Sequence, residues 1–190
     1  FATGPAGTGK TMLAVLAALQ AYRSGECSKI VITRPAVGVD DEKHGFLPGD
    51  LNAKMEPWTR PLLDVMREYY RPQDIAAMIE DQVIEIAPLA FMRGRTFKNS
   101  WIIADEMQNT TPNQMKMILT RLGENSKISI TGDLKQTDKQ FAHDNGLLDF
   151  IERMKSNTSQ SSVFGHVHFA QKDIQRSLAV KEVLRLYGED

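Results

Sequence analysis

The stretch GPAGTGKT at residues 4–11 decides the fold, because it fits the pattern G-x-x-x-x-G-K-[S/T] and lies between a strand-like segment and an amphipathic helical pattern. Its glycines let backbone N–H groups converge on phosphate oxygens, while Lys10 reaches the β and γ oxygens and Thr11 holds Mg²⁺ at a helix N-terminus. The residues predicted to contact the nucleotide are Gly4, Pro5, Ala6, Gly7, Thr8, Gly9, Lys10 and Thr11. A glycine-rich turn that merely enters a helix would not need the Lys-Thr pair.

Five short apolar runs, each bounded by polar residues, glycine or proline, predict buried strands. They cover residues 29–33, 83–87, 100–104, 127–131 and 162–170, and residues 1–3 form a stub of an opening strand that we expect to be mostly missing. Helical patterns lie between these runs. The alternation predicts an α/β fold with a mostly parallel sheet, helices on both faces and ligands at the carboxyl ends of the strands.

Two segments carry more local predictions. Thr111 and Gln114 form a capping-box pattern with Pro112 at the first helical position, and Gly123 is expected to end that helix in a left-handed conformation. Residues 37–70 are interrupted by several glycines and prolines, so we expect a long ordered loop there, before a helix that ends near residue 70.

Composition limits the class of protein. The 190 residues, 42% hydrophobic and 25% charged, predict one globular domain over residues 1–190. A formal net charge of −1 gives no general attraction to nucleic acid or acidic lipid, so such binding would need a local patch. The single Cys27 excludes an intramolecular disulfide and favours a reducing, cytoplasmic setting, and no apolar run is long enough to cross a bilayer.

A second motif places two carboxylates at the end of an apolar strand, in Trp-Ile-Ile-Ala-Asp-Glu at residues 101–106. Asp105 is predicted to complete a magnesium site opposite Thr11, and Glu106 to orient and deprotonate the water that attacks a γ-phosphate. Alone, such a strand end is more often a solvated turn, so the prediction depends on the phosphate loop upstream. No N-K-x-D sequence is present to read guanine, which favours ATP over GTP.

The strand ending near residue 131 continues as Gly-Asp-Leu-Lys-Gln, and Gln136 is the residue we predict to sense the γ-phosphate. The same residues also suit an ordinary β-turn. Only their neighbourhood favours the sensor.

Taken together, these residues resemble the PhoH-like proteins, a P-loop ATPase family similar to the core of superfamily 1 helicases. The resemblance runs nearly end to end and rests on the phosphate loop, Arg34-Pro35, Gly45-Phe46-Leu47-Pro48-Gly49-Asp50-Leu51, Pro88-Leu89-Ala90, Met92-Arg93-Gly94-Arg95-Thr96, Asp105-Glu106 with Gln108-Asn109, Gln114-Met115-Lys116-Met117 and Gly132-Asp133 with Gln136. It implies a RecA-like sheet, ATP at residues 4–11, Walker B roles for Asp105 and Glu106, and a sensor role for Gln136. The chain departs from the family's pattern at Asp41, Glu42 and His44, which bear on the role of the loop before Phe46. It also departs at Met107 and Ser177, neither of which touches the ATP chemistry directly.

The resemblance also implies that a second surface completes the ATP site, because superfamily 1 helicases bind ATP between two such cores and this chain has length for one. We therefore expect a homo-oligomer, with a ring as one form. Arg121, after the acidic strand, is the first prediction for an arginine that reaches a neighbour's site, and Arg176 is the second and could act within its own subunit. A surface salt bridge is the commoner role for either.

The predicted contacts to RNA or single-stranded DNA are Arg34, Arg93, Arg95 and Lys98, with Phe91 and Phe97 interleaved for base stacking. Ordinary loop content explains the same residues. Two functions remain in view: an ATPase that moves or unwinds RNA, and an adaptor whose assembly is switched by ATP with slow turnover. A small-molecule kinase is a weaker third, since no acceptor pocket is evident.

Overall fold

The computed structural model describes residues 1–35, 51–137, 144–156 and 163–187, with the backbone alone described at residues 51–58, 181 and 184. Six strands form a sheet: β1 (Ala2–Thr3), β2 (Lys29–Thr33), β3 (Ile84–Ile86), β4 (Ser100–Ala104), β5 (Lys127–Gly132) and β6 (Val167–His168). Their order is β3, β2, β4, β5, β1, β6, and each paired strand in the described ranges is parallel to its neighbour. This confirms the predicted α/β fold of a P-loop NTPase with a parallel sheet.

Helices cover both faces of the sheet, as predicted. They are α1 (Lys10–Arg23), α2 (Leu51–Arg67), α3 (Pro72–Glu80), α4 (Pro112–Leu119), α5 (Gly146–Ser156) and α6 (Leu178–Tyr187). In β2, Ile30 and Ile32 pack in one apolar cluster with α1, α2 and α3, whereas Val31 packs in a second with α4 and α5. This alternation follows from the two-residue period of a strand, and it gives each layer of helices its own core.

The predicted long loop is wrong for its second half. Residues 36–50 lie outside the described residues, but α2 already begins at Leu51 and continues through Pro57 and Pro61. Each proline removes one helical hydrogen bond, a local cost that tertiary packing can outweigh. Here Leu62 and Met66 are fully buried in the core cluster, which anchors the helix despite the prolines.

The end of α4 also differs from the prediction. The capping box of Thr111 and Gln114 is present, but the helix ends at Leu119 with Thr120 as its C-cap. Gly123 is not left-handed. A Cβ atom there would lie 2.5 Å from the Phe97 carbonyl oxygen, so this glycine supplies room for a neighbouring chain segment.

The last strand is shorter than the run at residues 162–170 that predicts it. Within the described residues 163–170, only Val167–His168 pairs with the sheet, against Ala2 and Thr3 of the equally short β1. A strand needs a partner for its backbone groups, and β1 ends at Thr3, where the phosphate loop begins. The paired length of β6 is therefore set by β1.

Candidate ATP site at the carboxyl edge of the sheet

The predicted motifs meet at one edge of the sheet, because parallel strands bring their carboxyl ends together. β1 ends directly before the loop at residues 4–9, β4 ends directly before Asp105, and β5 ends directly before Asp133. The order of the strands puts β5 between β4 and β1. Segments that are 100 residues apart in sequence thus form one continuous rim.

The loop folds as a phosphate cradle. Gly4, Gly7 and Gly9 all have positive φ angles, of 132°, 77° and 80°, which favour glycine because other residues rarely adopt them. Gly9 precedes α1 without a side-chain cap, and the first turn of α1 has no acidic residue. No acidic side chain of this first turn therefore compensates the positive end of the helix dipole, which favours an anion there.

Lys10 lies over this cradle. Its ammonium donates to the carbonyl oxygens of Gly4, at 2.8 Å, and Pro5, at 2.7 Å. Burial lowers the pKa of Lys10, while the carboxylates of Asp133, Glu106 and Asp105 act in the opposite direction. The cation is held next to the loop by hydrogen bonds that phosphate oxygens could replace.

Thr11 and Asp105 face each other across the two motifs. The Thr11 hydroxyl donates to Asp105 Oδ1 at 2.8 Å, and the Thr131 hydroxyl contacts the same oxygen. Asp105 is only 2% exposed, and Arg34 Nε lies 3.5 Å from its Oδ2. A hydroxyl and a carboxylate at this separation are the oxygen ligands that Mg²⁺ prefers, so the pair fits the predicted metal role.

Glu106 has an unusual backbone, with φ 57° and ψ 38°. A non-glycine residue in this region is strained by about 1–2 kcal/mol, and such strain is concentrated at functional sites. Its side chain is more exposed than that of Asp105, at 39% against 2%, and Arg34 Nη2 lies 3.6 Å from its Oε1. The turn therefore directs the second carboxylate away from the core and toward the rim.

Gln108 is a site residue that the sequence reasoning did not single out. Its amide donates to Glu106 Oε2 at 2.5 Å and accepts from the backbone N–H of Asp133 at 3.2 Å. The signal was present only as part of the resemblance, since Gln108 follows the acidic pair. Its partner Asp133, directly after β5, is distant in sequence and could not be foreseen from local pattern.

Gln136 lies on the predicted sensor turn. Its backbone N–H donates to the Asp133 carbonyl at 3.0 Å, and Lys135 N–H donates to the Asp133 side chain at 3.0 Å. The side chain of Gln136 is exposed at the same edge as the phosphate loop. The segment is a turn, as the alternative interpretation predicts. This turn directly follows β5, which lies between β4 and β1 in the sheet.

Arg176 packs against the phosphate loop of its own chain. Its Nη2 donates to the Ala6 carbonyl at 3.2 Å, and the neighbouring Gln175 N–H donates to the Gly7 carbonyl at 2.9 Å. A Cβ on Gly7 would lie 2.7 Å from Arg176 Nε. The structure thus adds Arg176 to the site within one subunit.

Arg121 lies at the opposite edge of the sheet from the phosphate loop. Its backbone carbonyl accepts from Phe97, just before β4 begins, and its guanidinium donates to the carbonyls of Met117 and Arg95, both at 3.1 Å. These contacts tie the end of α4 to the segment before β4. The structure brings Arg121 next to Arg95 but not to the residues of the candidate ATP site of its own chain.

The predicted nucleic-acid residues fall in different surroundings. Arg34 lies beside the two site carboxylates, and Arg95 forms a two-pronged salt bridge with Glu85 and stacks 4.5 Å above the Phe97 ring. Phe97 is 4% exposed, so the prediction that its ring stacks on bases is wrong.

Three other side chains of this segment are on the surface. Phe91 is 62% exposed, and Arg93 and Lys98 are also exposed. A polymer could therefore reach one aromatic ring and two cations of this segment.

No helix within the described part of the chain is long and apolar enough to cross a membrane.

Sequence comparison gives the family. The model described as PhoH-like protein matches residues 1–188. A PhoH-like protein of Synechocystis sp. is 46% identical over 189 residues, covering 98% of this chain and 56% of that protein.

Two further relatives agree. The PhoH-like protein of Bacillus subtilis is 45% identical over 189 residues, covering 100% of this chain and 58% of its own. Protein PhoH of Escherichia coli is 39% identical over 190 residues, covering 99% of this chain and 52% of its own. The chain therefore spans about half the length of the curated relatives it matches.

Proposed function

Because this chain belongs to the PhoH-like protein family, we propose that it binds ATP with Mg²⁺ and hydrolyses it at the carboxyl edge of the sheet. Family and fold together support nucleotide binding. The observation that carries the step to hydrolysis is the meeting of the two motifs, in which Thr11 contacts Asp105 at 2.8 Å and Glu106 follows on the rim.

In the proposed complex the triphosphate lies along the loop. Backbone N–H groups at the start of α1 donate to phosphate oxygens, and the Lys10 ammonium exchanges its two loop carbonyls for the β and γ oxygens. Arg176 adds a second positive charge from the side of Ala6 and Gly7. The left-handed glycines permit this close approach because they have no side chain.

Thr11 and Asp105 would hold the metal, which supplies charge neutralisation for the phosphate oxygens. Glu106 accepts a proton from the attacking water as the water oxygen bonds to the γ-phosphorus. The bond between that phosphorus and the β–γ bridging oxygen breaks, leaving ADP and inorganic phosphate. Gln136 is proposed to contact the γ-phosphate from the turn after β5.

We propose RNA or another single strand as the partner of this ATPase. The exposed trio of Phe91, Arg93 and Lys98 offers one aromatic ring and two cations on a single segment. Arg34 and Arg95 are also proposed to contact the nucleic acid, but they already form ion pairs within the chain. Each is engaged with carboxylates, so nucleic acid would have to compete with those ion pairs.

A nucleotide-switched adaptor is the second proposed function, and α6 favours it. Leu178, Leu186 and Tyr187 are 85%, 72% and 80% exposed, although the helix is strongly amphipathic. The helix begins two residues after Arg176, which contacts the phosphate loop. A homo-oligomer would cover such a face.

We also propose a reducing, cytoplasmic setting, which the buried free thiol of Cys27 suits.

The test is steady-state ATP hydrolysis by the wild type and Glu106→Gln, with and without single-stranded RNA, at two salt concentrations. We expect the variant to bind ATP and to lose about 10²–10⁴-fold in kcat, as for loss of a general base. RNA should stimulate the wild type, and the stimulation should fade as salt rises. Arg93→Ala should weaken it, whereas Arg153→Ala, which removes an exposed arginine from α5, should not.

The outcomes separate the proposals. Turnover indifferent to RNA, with assembly that depends on ATP, would favour the adaptor. Unchanged kcat in Glu106→Gln would remove the proposed base, and no ATP binding at all would overturn the proposed function.

A further inference from the structure

Gln108 occupies a buried position between the two halves of the proposed site. It lies in the 3₁₀ turn Met107–Asn109 that follows the acidic pair, and it is 1% exposed. A polar side chain at this depth must be hydrogen-bonded, because an unsatisfied buried amide is costly. Its partners therefore indicate its role.

Both ends of the Gln108 amide are bonded to the site. Nε2 donates to Glu106 Oε2 at 2.5 Å, and Oε1 accepts from the Asp133 N–H at 3.2 Å. Gly132 permits this contact, since a Cβ there would lie 2.8 Å from Gln108 Oε1. One side chain thus connects the carboxylate after β4 with the first residue of the turn after β5.

The chemistry of the contact calls for an amide. An ionised glutamate at this position could still accept from Asp133 but could not donate to a second carboxylate, and leucine could do neither. The turn beyond Asp133 is also internally bonded, through Lys135 N–H and Gln136 N–H. A continuous chain of hydrogen bonds therefore connects the backbone of Gln136 to the Glu106 carboxylate.

We propose that Gln108 is a positioning residue that couples Glu106 to the turn containing Gln136, so that contact of that turn with the γ-phosphate sets the place of the base. The inference rests on the proposed ATPase function. It assigns Gln108 no contact with substrate. Its consequence is that ATP and ADP leave Glu106 in different positions.

The test compares Gln108→Glu and Gln108→Leu with wild type in kcat, KM and the affinities for ATP and ADP. Gln108→Glu keeps the shape and the acceptor for Asp133, and in its ionised form it loses the donor to Glu106. We expect kcat to fall by at least about tenfold while KM changes by less than about threefold, the pattern of a lost transition-state contribution. Gln114→Ala is the control, because it removes an exposed amide of the α4 capping box and should lower Tm without changing kcat.

A double-mutant cycle with Gln136→Ala gives the decisive reading. Coupling predicts that the double variant is little slower than the slower single variant. Multiplying effects of the two substitutions, or a kcat for Gln108→Glu equal to wild type, would overturn the inference.

The two substitutions at Gln108 guard against misfolding. If Gln108→Leu folds poorly, the isosteric Gln108→Glu carries the cycle alone. Absence of hydrolysis in the wild type is a different result, since it would overturn the proposed function itself.

Discussion

At the scale of single residues, two separate reasons favour glycine at position 7 of the phosphate loop: its backbone conformation and the space beside it. Gly7 has φ 77°, and a Cβ there would also lie 2.7 Å from Arg176 Nε. Gly25 has nearly the same φ, 76°, with nothing within 4 Å of a built Cβ. The two glycines share the conformational requirement and differ only in the neighbouring arginine.

This difference gives a matched pair of variants. Gly7→Ala and Gly25→Ala should both lower the free energy of unfolding by about 1–2 kcal/mol, since alanine is strained at positive φ. Only Gly7→Ala should also weaken ATP binding, because the new methyl group displaces Arg176 from the loop. Chemical denaturation and a fluorescent-ATP titration measure the two effects. Equal ATP affinity in both variants would show that Arg176 is not needed at the loop.

The ion pairs of Glu85 give a prediction with a pH dependence. Hydrogen bonding to Arg95, and secondly to Lys29, lowers the pKa of this carboxyl against the opposing effect of burial. As pH falls, the unfolded chain takes up this proton first. The stabilisation is therefore complete above the usual value of 4.5 and is lost as pH falls through the folded-state pKa.

Glu85→Gln should accordingly cost about 1–2 kcal/mol at neutral pH, between the values for surface and buried pairs. The difference in Tm from wild type should shrink as the pH is lowered below 4.5. Scanning calorimetry from pH 7 to pH 3 measures it. Asp74→Asn, which breaks an exposed pair with Arg71, is the control and should change Tm little throughout.

At the scale of elements, Gly123 is required for the space that it leaves to a neighbouring segment, and its backbone is not left-handed. Gly123→Ala should destabilise the fold by about 1–3 kcal/mol, because its Cβ would lie 2.5 Å from the Phe97 carbonyl oxygen and the backbone must shift. Gly165→Ala, with nothing within 4 Å, is the control. Thermal unfolding of the two variants decides the matter. A normal Tm for Gly123→Ala would mean that this contact relaxes freely.

What the sequence predicts correctly is what depends on neighbours in sequence. The capping box of Thr111 and Gln114 spans three residues and is present as expected. The phosphate loop and the acidic strand end are equally local, and the parallel sheet brings them together. This is why the main parts of the candidate site could be predicted without a structure.

The errors and omissions involve partners that are distant in sequence. Gly123 leaves room for the Phe97 carbonyl, and Gln108 accepts a hydrogen bond from the Asp133 N–H. Each partner is about 25 residues away in sequence. In α2, Pro61 gives a local signal for a loop, but burial of the adjacent Leu62 overrides it. Local propensities compete with packing that forms only when the whole sheet is assembled.

At the scale of the whole molecule, the question is whether one chain completes the site or a neighbour contributes. Arg176 contacts its own loop, whereas Arg121 lies at the far edge of the sheet and binds carbonyls of its own chain. If Arg176 acts within its subunit, its loss and the loss of Glu106 both disable the same copy of the site. If a neighbour supplied the arginine, the two substitutions in one subunit would instead disable two different copies of the site.

If the chain forms the proposed homo-oligomer, mixed oligomers distinguish these arrangements. Arg176→Ala and Glu106→Gln, each slow alone, should remain at the sum of their separate rates when subunits are exchanged, because neither kind of subunit has a complete site. A gain on mixing would place Arg176 in the neighbour's site. The same mixture made with Arg121→Ala gives the complementary reading. A gain there assigns Arg121 the trans role, and no gain leaves it the structural role that its hydrogen bonds to Met117 and Arg95 indicate.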